Sequence, residues 1–134
     1  MSTITEHPSA TVLRGFYDAL ARGDIQAVSD LCSPDITVAM PGRSPLAGLY
    51  SGRDAAIGFL GRMQAASGGT FRAELRELYV GDGQVVAVHH GTATRGEKAL
   101  DAHAALLFEV SGDGAITAVT VHQARQDGWD DFFS

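Results

Sequence analysis

The groups in this chain best suited to moving protons near neutral pH are its histidines. Five are present, and four fall in the second half: His89, His90, His103 and His122. Imidazole is the side chain whose unperturbed charge change lies in the physiological range, so each is a candidate general acid or base. Asp101 stands two residues before His103, which puts both side chains on one face of a strand. A carboxylate beside histidines can serve as an acid–base partner or as one ligand of a metal. The spacing matches no established metal motif and no cysteine joins the group, so no metal centre is expected. The lone Cys32 falls on an apolar stripe and reads as an inert core thiol. There is no Ser-centred nucleophile elbow. The Gly-rich loops lack any phosphate-binding pattern, and no cofactor is expected.

Strands must position these groups. Thr70 to Val80, Gln84 to Arg95, Leu100 to Val110 and Ala115 to Gln123 are rich in β-branched and alternating residues. Gly81-Asp-Gly83, Gly96-Glu97 and Ser111-Gly-Asp-Gly114 separate them as turns. A two-residue turn at Gly112-Asp113 sets Ser111 opposite Gly114. His103 then lies opposite His122, Ala104 opposite Val121, and Leu106 opposite Val119. One face holds Ala102, Ala104, Leu106, Phe108, Val119 and Val121, with Gln123 at its end. The other holds Asp101, His103, Thr120 and His122. His89 and His90 are neighbours, so one joins each face. Pairing Arg95 with Ala99 puts His90 on the apolar face, opposite Ala104, and leaves His89 with the polar cluster. A slip of one residue at that turn exchanges the two. The apolar face packs helices and lines a pocket, into which His90 and Gln123 are expected to look. The polar face reads as an acid–base cluster or as the polar part of a dimer surface.

Helices precede the strands. Val12, Phe16 and Leu20 recur at i, i+4 and i+8 within Thr11 to Arg22, and Gly23 ends that helix. Asp24 reads as the N-cap of a short helix with Ile25, Val28, Leu31 and Cys32 on its stripe, stopped by Pro34. Ile36 to Met40 is a short strand, and Pro41 to Tyr50 a loop. Ser51-Gly-Arg-Asp54 fits a capping box for a helix that buries Ile57, Leu60 and Met63 and fades at Ser67-Gly-Gly69. Helices followed by a meander of long strands imply an α+β fold with helices on one sheet face. Long strands containing glycine can curl around a cavity. Tyr17 and Tyr50 read as packing residues, and Tyr17 can also offer its hydroxyl to a ligand. At the end of the chain, Trp129, Phe132 and Phe133 share one face of a helical turn. So much aromatic surface must dock, as a lid on the pocket or onto a dimer partner.

Composition sets the boundaries. The chain has 134 residues, the size of one domain, with 45% hydrophobic and 19% charged residues, so it is globular. Ten basic residues against sixteen acidic give a net charge of −6. That charge disfavours nucleic acid and anionic membranes as partners. Met1 to Pro8 shows no basic region followed by an apolar stretch, so no signal peptide is expected. No apolar run approaches the ~20 residues of a membrane span. A soluble, cytoplasmic protein is expected.

Pro41-Gly-Arg-Ser-Pro-Leu-Ala-Gly48, followed by Tyr50-Ser-Gly-Arg-Asp54, resembles the segment between the first strand and third helix of many SnoaL-like proteins, within the nuclear transport factor 2-like superfamily. Leu20-Ala-Arg-Gly-Asp24 resembles the turn between the first two helices of that group, and Asp131-Phe-Phe133 its ending. The resemblance runs from about Val12 to Phe133 and implies one domain over residues 1–134. It implies a cone-shaped fold, with helices packed on a strongly curved antiparallel sheet around a pocket, and a homodimer. The superfamily hosts isomerases, polyketide cyclases, epoxide hydrolases, dehydratases and modules without activity, so function must be argued from the site. Its ketosteroid isomerases use a carboxylate base and an oxyanion hole of a tyrosine and a protonated aspartate. By resemblance the base falls at or beside Met40, the tyrosine near Phe16, and the aspartate near Ala104 or Leu106. None of these residues carries the needed group. Many related proteins have Trp-His before Pro-Gly, where Val38-Ala39 stand here.

Phe16, Met40, Leu106, Val121, Gln123 and Trp129 are therefore expected to line a site for a small apolar molecule. The implied activity is cofactor-free cyclisation, isomerisation or dehydration of an oxygenated, possibly polyketide-like substrate. His90 is its expected proton shuttle, and His103, Asp101 and His122 are the rival set. The alternative is a ligand-binding or dimerisation module without turnover. Epoxide hydrolysis needs carboxylates and an arginine converging on a water, and no such set can be placed in the pocket.

Overall fold

A computed structural model describes residues 7–134. Residues 1–6, most of the stretch inspected for a signal peptide, lie outside the described residues. The chain runs α1 (Pro8–Arg22), α2 (Ile25–Leu31), β1 (Cys32–Met40), β2 (Gly48–Ser51), α3 (Arg53–Ala66), β3 (Arg72–Val80), β4 (Gln84–Arg95), β5 (Lys98–Val110), β6 (Ile116–Gln123) and α4 (Gln126–Phe133). This is the expected α+β arrangement. Among the described residues no helix is long and apolar enough to cross a membrane.

Local chemistry explains the helix ends. Pro8 occupies the first turn of α1, where its missing N–H costs nothing, and the His7 ring accepts from Ser9 N. Gly23 closes α1 at φ 68°, the left-handed position where glycine carries no Cβ penalty. Asp24 caps α2 by accepting from Ala27 N at 3.1 Å. The expected capping box at α3 does not form: Gly52 is the N-cap and no side chain bonds there. Gly52 N instead donates to Ile36 O, because residues 48–51 are a strand rather than part of a loop.

The sheet order is β2-β1-β6-β5-β4-β3. Every neighbouring pair is antiparallel except β1 with β6, which run parallel. The inner face of β5 buries Leu100, Ala102, Ala104, Leu106, Phe108 and Val110 in strict alternation. The helices cover that face.

Two registers differ from expectation. Between β5 and β6, Ala104 pairs with Gln123, Leu106 with Val121 and Phe108 with Val119, with a bulge near Val110. Ser111 N donates to Ala115 O, so the turn is longer than two residues. The slide is two residues, so both faces keep their members, although His103 no longer faces His122. Between β4 and β5, Arg95 pairs with Lys98, His90 with His103 and His89 with Ala104. Gly96, at φ 61°, and Glu97 alone make that turn, with the positive-φ residue first as in a type II′ hairpin. This slip is one residue. It therefore exchanges the histidines: His89 is on the inner face and His90 on the outer.

The C-terminal aromatics dock on their own chain. Trp129, Phe132 and Phe133 are all buried on one side of α4. Arg95 donates to Phe132 O at 2.9 Å and Lys98 to Asp131 O at 2.8 Å. Two cations of the β4–β5 turn thus meet the orphan carbonyls and negative dipole end of α4. Asp130, buried on α4, accepts from Ser44 N at 3.2 Å and from the Gln126 amide at 3.1 Å. Gly42 permits this latch. Its φ is 102°, and a Cβ there would lie 2.3 Å from the Asp130 carboxylate.

Candidate functional site

The curl of the sheet around α1 and α3 leaves a cavity of about 100 Å³. Phe16, Met40, Leu106, Val121, Gln123 and Trp129 all line it. Each comes from an inward position: α1 supplies Phe16, β1 Met40, β5 Leu106, β6 Val121 and Gln123, and α4 Trp129. His90 does not line the cavity; His89 does, with Tyr17 across from it. The side-chain oxygen of Gln123 and the indole N–H of Trp129 are buried without a hydrogen-bond partner among the described residues. A buried polar atom left unpaired costs about 1–3 kcal/mol.

The Tyr17 hydroxyl lies 2.7 Å from His89 Nδ1. Their rings also meet edge to face at 5.6 Å, with Phe16 and Phe108 packed on Tyr17. The pair joins α1 to β4 inside the apolar cavity. Burial holds the Tyr17 phenol well above its ordinary range. Burial, helped by the neighbouring His90, pushes His89 down to about 4. At neutral pH both groups are uncharged. If Tyr17 donates to Nδ1, the imidazole carries its proton on Nε2; in the other tautomer Nδ1–H donates to the phenol oxygen and Nε2 is a base. The Cys32 thiol also lines the cavity, donates to Val28 O at 3.3 Å, and is pushed up chiefly by burial. It is a poor nucleophile.

His89 ties stability to pH. The unfolded imidazole takes a proton below pH 6.5, and the folded one only below about 4. Between those values the unfolded chain holds more protons, so stability is complete above 6.5 and falls as pH drops toward 4. The shift corresponds to roughly 3 kcal/mol. Urea midpoints at neutral pH and near pH 4.5 should therefore separate further in wild type than in His89→Gln. An equal fall in both would show that His89 is not held neutral by the fold.

The outer face carries a second constellation. His90 Nε2 is hydrogen-bonded to Asp101 Oδ1, and His103 Nε2 is 3.7 Å from the same oxygen. The two imidazoles are stacked, with centroids 4.4 Å apart and planes 3° from parallel. Arg76, at the bulge between Leu75 and Glu77 in β3, approaches His90 Nδ1 at 3.3 Å and Glu74 at 3.4 Å. His90 holds Asp101 below the usual carboxylate range. His122 pairs with Ala105, diagonal to His103 on the same face, and is outside this cluster. The group expected to contain Asp101, His103, His122 and His89 therefore has His90 in place of the last two. The sequence signal for the inner pair was present as Tyr17 and the adjacent histidines, but one turn decided which histidine it met.

The SnoaL-like domain family matches residues 13–119. An uncharacterized protein of Mycobacterium tuberculosis is 33% identical over 132 residues, covering 98% of this chain and all of the relative. Among solved structures, Bal32a from a soil-derived mobile gene cassette superposes with a TM-score of 0.91 at 32% identity, covering 95% of this chain and 97% of that one. RV0760c from Mycobacterium tuberculosis, in complex with estradiol-17beta-hemisuccinate, has a TM-score of 0.78 at 15% identity, covering 92% and 98%. With its curved sheet, apolar cavity and family match across most of its length, the chain belongs to the SnoaL-like domain family.

Proposed function

We propose that the chain, acting as one domain, is a cofactor-free enzyme that isomerises, cyclises or dehydrates a small apolar oxygenated molecule. The Tyr17–His89 hydrogen bond carries this reading, because it sets a proton-handling pair in a mostly apolar wall. Tyr17 fixes the imidazole, and His89 Nε2 meets the ligand. A proton taken from a carbon beside a carbonyl and returned elsewhere leaves the pair unchanged, so no cofactor is needed. Neutral Nε2–H can also polarise a carbonyl oxygen, as buried neutral histidines do elsewhere. The fold neighbour that holds a steroid ester supports an apolar, oxygenated ligand. The cavity of about 100 Å³ limits its size. A dry cavity of ~150 Å³ accommodates benzene, so a single ring fits with slight adjustment, and a polycyclic ligand requires side chains such as Met40 and Met63 to move. Incubation in D₂O with small cyclic enones and hydroxyketones tests the reading. Deuterium should enter beside the carbonyl with wild type and not with His89→Gln.

A non-catalytic binding module is the second reading. It is favoured by the lining itself, which among the described residues includes no aspartate or glutamate. Saturable ligand binding with no deuterium exchange for any bound compound would select it.

The same proposal includes a cytoplasmic homodimer built on the outer sheet face. One row crosses all six strands there: Leu49, Ala39, Thr120, Leu107, Val86 and Tyr79. Its two ends, Leu49 and Tyr79, are 68% and 57% exposed, which is costly for large apolar groups. Sedimentation should give twice the chain mass at micromolar concentration, and Leu107→Glu should return it to a monomer. A wild-type monomer at that concentration would remove the dimer from the proposal.

A further inference from the structure

We infer that His90, Asp101 and His103 form a binding site for a divalent transition-metal ion of the zinc, cobalt or nickel kind. The site is on the outer face of the sheet and is independent of the cavity. Its frame is rigid. His90 and His103 are direct partners in the longest strand pairing, and Asp101 stands two residues from His103 on the same face. One ligand atom from each of the three lies within 4.8 Å of the others. Both Nε2 atoms turn toward a single carboxylate oxygen. Packing does not impose this convergence, because the Asp101 and His103 side chains are 76% and 62% exposed.

The donor set selects the ion. Two imidazoles and one carboxylate suit borderline divalent metals, which leave further positions to water. Calcium and magnesium demand more oxygen ligands than this group offers. Ligation through His90 Nε2 requires its proton on Nδ1, the atom Arg76 now approaches. Arg76 is half exposed and already reaches Glu74, so it can swing away onto that partner. Glu74 is also the residue opposite His90 across β3 and β4. It is the carboxylate at hand to accept the Nδ1 proton, the usual outer partner of a metal-bound histidine. Arg76 thus opposes the metal twice, by its charge and by its claim on Nδ1.

Titration of the full-length, tag-free chain with Co(II), followed by its visible absorption and by calorimetry, tests the site. One ion should bind per chain at micromolar concentration. Asp101→Asn and His103→Ala should each weaken binding at least ~10-fold. Both residues are exposed in the single chain, and His90 and His103 stand four positions along β4 and β5 from the Val86–Leu107 row proposed as the dimer seam, so these variants should keep the wild-type melting temperature. His122→Ala should bind as wild type does, and Arg76→Ala should bind more tightly. No saturable binding below millimolar Co(II), binding that survives both Asp101→Asn and His103→Ala, or weaker binding in Arg76→Ala would each overturn the site.

Discussion

His89→Gln should lower turnover of an accepted substrate by ~10²–10⁴-fold, the range that a positioned general acid or base contributes. The loss should fall on kcat, because the imidazole acts on the reacting proton and adds little to the apolar contacts that hold the ligand. Tyr17→Phe should cost less. It keeps the ring that packs between Phe16 and Phe108 and removes only the hydroxyl that orients His89. The imidazole then loses its fixed tautomer, and the pH profile of kcat should shift as well as drop. His89→Gln should remain folded at pH 7, where the native histidine is neutral and glutamine replaces one polar group by another. The outer histidines provide the contrast. His103 and His122 are on the opposite face from the cavity, and their alanine variants should turn over as wild type does. If turnover survives in His89→Gln and fails in His103→Ala, the chemistry belongs to the outer cluster. If no substrate is turned over but ligands bind, and Tyr17→Phe alters their affinity, the binding-module reading holds.

The same two histidines show what the sequence could and could not decide. Alternation along β5 and β6 was enough to assign Ala102, Ala104, Leu106, Phe108, Val119 and Val121 to one face, because that pattern survives a slide of two residues. The placement of His89 and His90 depended instead on whether one turn held two residues or three. A glycine that can take φ 61° fits either, and the observed register is the one that sets His89 against Tyr17. The metal-like cluster was obscured for the same reason, since only the observed register sets His90 against His103. β2 was missed because its four residues, Gly48 to Ser51, become a strand only by pairing with β1. Gly48 and Ser51 are turn residues, and two apolar side chains between them are too few to show a strand's alternation. The capping box failed in a related way: Gly52 N bonds to Ile36 across the sheet, and a sheet contact overrode a helix-end motif. The C-terminal helix was legible because three aromatics in its last six residues cannot remain in water.

That helix supports the second large effect. Trp129→Ala and Phe132→Ala should each destabilise the chain by ~3–5 kcal/mol, the usual cost of deleting a buried aromatic side chain. Both residues are about 3% exposed, so the loss should be similar in urea. Against a typical total of ~5–15 kcal/mol, either variant is within reach of unfolding, and measurements belong at low temperature. The two differ in what they do to the site. Trp129 lines the cavity and packs edge to face on Phe71, at 6.2 Å between centroids. Phe132 is on the same helix but outside the lining. Removing the indole should therefore enlarge the cavity and remove the unpaired N–H, whereas Phe132→Ala should leave the pocket wall intact. Trp129→Ala should gain affinity for ligands one ring larger than those wild type accepts and lose affinity for small ones. Phe132→Ala, at matched fraction folded, should bind as wild type does. A Trp129→Ala variant with unchanged ligand preference would show that α4 is only a brace for the sheet. An equal change in both variants would show that stability alone, and not the shape of the wall, governs what enters.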